Sequence, residues 1–130
     1  SRGLGDVYKR QVEKILTENG FTMQEISNIV YLYTKSTADN SRTSKLRIVY
    51  DKSGNINKSE TEMFIESEND ILALENLLKV FCKSQSTDEF ISAVRKQLDG
   101  KSANAKLTLD NGQLLRLGTS GGYTEVHTSR

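Results

Sequence analysis

Apolar positions along this chain follow two rhythms. Between Leu46 and Ile65 they alternate with polar ones, the period of a strand with one buried face. The alternation breaks at Ser53-Gly54-Asn55-Ile56, where Gly stands first in a two-residue loop, as a type II′ turn requires. This predicts a β-hairpin with Asp51 opposite Lys58, Arg47 opposite Glu62 and Leu46 opposite Met63. Leu46, Ile48 and Tyr50 then share an apolar face with Met63 and Ile65, and both charge pairs fall on the other face.

From Ser67 the rhythm becomes helical. Ile71, Leu74, Leu77, Leu78 and Phe81 recur at helical spacing behind a Ser67 cap. A second helix follows a short link. Ser86 and Glu89 are placed as its capping box, Phe90, Ile91, Val94 and Leu98 form its apolar stripe, and Gly100 ends it. Beyond it, Asn111-Gly112 predicts a hairpin between Lys106–Asp110 and Gln113–Gly118. Gly121-Gly122 is a second turn, leading into Tyr123–Thr128.

The start is less plain. Val12, Ile15 and Leu16 fit a short helix, Asn19-Gly20 a stop, and Ile29 to Tyr33 a strand; a helix from Thr22 with Glu25 as its box partner is the competing reading. Thr34 to Lys45 holds one Ala and no other apolar side chain, and reads as a mobile loop. The fold class is α+β: a hairpin and a C-terminal meander in one antiparallel sheet, with the central helix pair on one face. The expected order is helix, three strands, two helices, three strands.

Composition narrows the class further. The chain has 130 residues, with 18 Lys+Arg against 17 Asp+Glu, one His, one Cys and no Pro. That length suits one domain, and no run approaches the ~18 apolar residues of a spanning helix. The first eleven residues change the picture. Ser1 to Gln11 resembles the in-frame translation of a transposon-end sequencing adapter, eleven consecutive matches. That resemblance implies that residues 1–11 are an artefact, extended or weakly helical and burying little. It also implies that residues 12–130 are a single domain or the C-terminal fragment of a longer protein. Without Arg2, Lys9, Arg10 and Asp6 the remainder holds 15 basic and 16 acidic residues, which weakens any argument for nucleic acid. Compartment stays open.

Each patch of candidate chemistry has a structural reading beside it. Gly118-Thr119-Ser120-Gly121-Gly122 has the composition of a phosphate cradle, but strand-like residues follow where a helix is needed, and a hairpin turn accounts for it. Asp51, Ser53, Asn55 and Glu62 have the outline of a calcium loop, with Ile56 where the sharp turn needs Gly. Glu60, Glu62, Glu66, Glu68 and Asp70 form an acidic run that cross-strand ion pairs and a helix N-terminus explain. Nothing brings Cys82 and His127 together as a dyad.

The leading expectation is therefore a non-catalytic binding or structural module without a cofactor, metal or membrane segment. Its partner would be an unknown protein or the missing N-terminal region of its own chain. The alternative is a weak nucleic-acid-associated domain using Tyr31, Tyr33, Arg42, Lys45 and Arg47, where aromatics alternate with cations. A third reading is a metal-assisted enzyme using Glu60 and Glu62.

Overall fold

The structure is a computed structural model that describes residues 4–128. It is α+β, with three helices packed on a seven-stranded antiparallel sheet. The chain runs α1 (Leu4–Glu18), β1 (Thr22–Glu25), β2 (Val30–Ser36), β3 (Thr43–Tyr50), β4 (Ile56–Ile65), α2 (Glu68–Phe81), α3 (Asp88–Leu98), β5 (Lys106–Thr108), β6 (Leu114–Ser120) and β7 (Tyr123–Thr128). The strand order is β1-β2-β3-β4-β7-β6-β5. The helix pair is thus an insertion between two meanders, and β4 joins them by pairing with β7.

Alternation sorts the side chains. Tyr31, Tyr33, Leu46, Ile48, Met63, Ile65, Leu117 and Val126 are buried on the helix side of the sheet. Val12 and Leu16 of α1, Leu74, Leu77 and Leu78 of α2, and Phe90, Ile91 and Val94 of α3 complete one core. Ser67 caps α2 as expected, its hydroxyl accepting from the Asp70 amide. Asn19-Gly20 stops α1 as read, with Gly20 at φ 94° and the Phe21 amide returning to the Leu16 carbonyl.

Several expectations need correction. Thr22–Glu25 is neither turn nor helix but an edge strand paired with β2, so four strands precede α2. Its four residues are too short to show a period, and cross-strand pairing decides their state. The polar stretch Thr34–Lys45 is not one loop. β2 and β3 run into it from both sides, leaving only residues 37–42 between them. Hydrogen bonds, not apolar burial, order that connection: Asp39 accepts from Thr37, from the Ser41 amide and from the Ser41 hydroxyl.

The first hairpin keeps its faces but not its register. Lys45 pairs with Glu62, Arg47 with Glu60 and Val49 with Lys58, a two-residue slip that preserves which side chains point inward. The cause is the loop. Asp51 closes against Asn55, its Oδ1 accepts from the Ser53 and Asn55 amides, and Gly54 takes φ 83°. This is a three-residue loop with a left-handed Gly in third place, where a two-residue turn was expected. A bulge at Val49/Tyr50 then completes the shift. The α3 capping box does not form either. Thr87 is the N-cap, and the Ser86 hydroxyl accepts from Asp88. Leu98, at the end of the stripe, is half-buried.

Of the adapter-like segment, residues 1–3 lie outside the described residues. Leu4 to Gln11 form the first turns of α1, with Val7 and Tyr8 half-buried at its rim.

Candidate functional site

The helices cover one face of the sheet, and alternation leaves the other without a layer. On that open face, residues of β2, β3, β4 and β7 line a recess of about 820 Å³. Leu32 supplies its apolar wall, Lys45, Arg47 and Lys58 its cations, and Glu60, Glu62, Glu125 and His127 the rest. A smaller cleft of about 290 Å³ lies at Tyr8, Phe81 and Lys83, where the Lys83 ammonium stacks 3.7 Å from the Tyr8 ring centre.

Two clusters divide the charges of the recess. Glu60 lies 3.5 Å from both Arg47 and Lys58, so its carboxylate is flanked by two exposed cations. Such pairs contribute only about 0–1 kcal/mol each. Glu125 differs. It is 8% exposed, with His127 Nδ1 3.1 Å from its Oε1 and the Glu62 carboxylate as neighbour. Burial, and then repulsion from Glu62, raise its pKa above the ordinary carboxylate value, while His127 pulls the other way. The His127–Glu125 approach is close but poorly aligned for a hydrogen bond. Gly118 lies beside the imidazole, and a Cβ there would meet His127 Cε1 at 3.6 Å, an ordinary van der Waals contact.

A pH dependence follows from Glu125. A raised folded-state pKa means that the folded chain holds this proton more tightly than the unfolded one. The stabilisation is full below the ordinary carboxylate range and is lost as pH rises through the raised value. Glu125→Gln stays neutral, so its Tm should exceed that of the native chain at neutral pH. The difference should shrink in acid, as calorimetry across pH would show.

At one end of the sheet a second polar group joins two loops. The Tyr123 hydroxyl donates to Asp39, and the Arg42 guanidinium lies 5.8 Å from the Tyr123 ring centre. Four hydrogen bonds, from Tyr123, the Ser41 amide, the Ser41 hydroxyl and Thr37, lower the Asp39 pKa. The turn at Gly121-Gly122 has φ 57° and 86°, a hairpin turn as the sequence suggested, with Arg42 Nη2 occupying the place where a Gly121 Cβ would stand. Gly121→Ala should therefore displace Arg42 and strain the turn, costing about 1 kcal/mol by denaturant titration.

The residues singled out from sequence are dispersed. Tyr31 and Tyr33 lie on the helix-covered face, where burial pushes the Tyr33 phenol up. Lys45 and Arg47 lie on the open face, and Arg42 sits on Tyr123, so the five do not share one surface. Of the acidic run, Glu66 accepts from the Ala38 amide, Glu68 pairs with Arg95, and Asp70 is buried against Lys35. Asp51 serves its own turn. Cys82 is buried and donates to the Thr108 carbonyl, away from His127. Sequence reasoning missed Glu125 and its place beside Glu62, because only the β4–β7 pairing joins segments so distant in the chain.

Among the described residues no helix is long and apolar enough to cross a membrane. The fold and the recess define an α+β protein with a one-sided helix layer. No family model, curated protein or solved structure matches the chain.

Proposed function

We propose that this chain is a non-catalytic binding module and that the open face of its sheet is the binding surface. The observation that carries the reading is the recess, which combines an apolar wall at Leu32 with cations and carboxylates already paired at Arg47 and Glu60. A recess of this size with mixed lining suits a protein segment, which offers both an apolar anchor and rim charges. For the nucleic-acid alternative, Tyr31 and Tyr33 would have to leave the core to stack on bases. For the metal-enzyme alternative, Glu60 would have to leave its two cations.

The test is capture from extracts of the source cells with three immobilised forms: native, Leu32→Asp with Arg47→Glu, and Lys79→Glu on the exposed flank of α2. The reading predicts a partner retained by the native and Lys79→Glu forms and lost by the open-face double variant. Retention by all three, or binding of single-stranded RNA homopolymer through Lys45 and Arg47, overturns it.

A further inference from the structure

The two edges of the sheet are not alike. At β5 the link between α2 and α3 covers the Thr108 end of the edge, because Cys82 Sγ and the Gln85 side-chain amide both donate to the Thr108 carbonyl, at 3.4 and 2.7 Å. At β1 no described side chain or loop does this. The Ile26 amide donates to the Val30 carbonyl and sets the phase of the β1–β2 ladder. Thr22 and Gln24 therefore turn their backbone groups toward β2, and Met23 and Glu25 turn theirs outward. The strand has no Pro, no Lys and no bulge, so only its four-residue length and Glu25 blunt the edge. Of the three exposed large hydrophobics among the described residues, Ile26 and Ile29 lie in the connection that leaves this edge.

We propose that β1 pairs antiparallel with β1 of a second copy, about a two-fold axis at Gln24, joining two sheets into one. The outward groups select this register. With the axis at Gln24, Met23 faces Glu25 of the partner subunit, and every outward amide and carbonyl of both strands finds a partner. With the axis at Met23, Glu25 would face the partner's Phe21, whose amide is already given to the Leu16 carbonyl at 2.9 Å. The Glu25 carbonyl would then lack a donor.

Side chains favour the same choice. Gln24 meets the partner's Gln24, and primary amides both donate and accept. Glu25 stands beside the partner's Met23, so no like charges oppose. An edge that satisfies itself in this way argues for a second copy over a foreign strand. The contact is isologous, so assembly through this edge stops at two. The axis is perpendicular to the sheet, so both helix layers fall on one side and both open faces on the other. A four-residue edge is small, so the dimer exchanges with monomer as concentration changes.

Sedimentation velocity of the full chain, from micromolar to millimolar concentration, tests this. The native protein should shift from monomer to dimer. Met23→Pro removes an outward amide that the monomer does not use, and should leave a folded monomer. Gln24→Lys sets two ammonium groups face to face and should weaken association by about tenfold or more. Gln24→Cys should form a covalent dimer on oxidation more readily than Thr22→Cys, and the one native thiol, Cys82, is buried. A native chain that stays monomeric throughout overturns the proposal, as does a dimer that both Met23→Pro and Gln24→Lys leave intact. If Met23→Pro fails to fold, Gln24→Lys decides alone. A monomeric chain whose edge instead captures a foreign strand also overturns it.

Discussion

Leu78→Ala should lower the unfolding free energy by about 2–5 kcal/mol, the cost of lost transfer energy plus the cavity left behind. Leu78 is fully buried in α2 and belongs to the core that α1, α3 and the sheet share. Its side chain has no solvent exposure, so truncation leaves a cavity that the surroundings refill only in part. Phe90→Ala, in α3, should cost a similar amount, because its ring is also buried. A domain of this size has about 5–15 kcal/mol in total, so either change should be visible as a large drop in the urea midpoint. The m-value should stay constant. A neutral result for Leu78→Ala would mean that α2 does not pack on this sheet.

Asp70→Ala should be the most damaging polar substitution, at about 2–4 kcal/mol, a little below the figure for a fully buried pair because the Lys35 side chain is 29% exposed. Asp70 is 4% exposed and ties three elements together. Its carboxylate accepts from Lys35 of β2 at 2.9 Å, from Asn19 after α1 at 3.1 Å and from the Glu66 amide before α2 at 2.8 Å. Removing it leaves the half-buried Lys35 ammonium with only the Asn19 Oδ1 at 3.3 Å and strands the Glu66 amide. Asp70→Asn retains the shape and part of the bonding, and should recover some of the loss. Thermal unfolding of both variants checks the ordering. Equal stability of native and Asp70→Ala chains would show that these contacts do not form.

What the sequence made legible was what local chemistry decides. Helical spacing from Ile71 to Phe81 gave α2, and Ser67 gave its cap, because both act within a few residues. Gly112, Gly121 and Gly122 marked the turns of the last meander, since left-handed backbone selects glycine wherever it occurs. The register of the first hairpin was not legible. Gly54 fits two turn types, and the choice rests on the Asp51 carboxylate capturing two amides. The connection after β2 misled for a related reason. Composition weighs apolar burial, whereas Thr37, Asp39 and Ser41 are ordered by hydrogen bonds among themselves and to Tyr123, which lies far along the chain.

The candidate site was harder still. Arg47 was expected opposite Glu62, but the slip sets it opposite Glu60, and Glu62 stands near Glu125 instead. That neighbour arrives only through β7, so no local pattern announces it. The face itself follows from alternation. Once the helices take the side of Leu46 and Met63, the side of Lys45, Arg47 and Glu62 stays uncovered.

Binding at this uncovered face should be visible in amide hydrogen exchange measured with and without the captured partner. Exchange should slow in β3, β4 and β7, centred on residues 45–49, 58–62 and 125–128, with α2 and α3 unchanged. Protection confined to the outer surfaces of α2 and α3, with the open face exchanging as before, would contradict it.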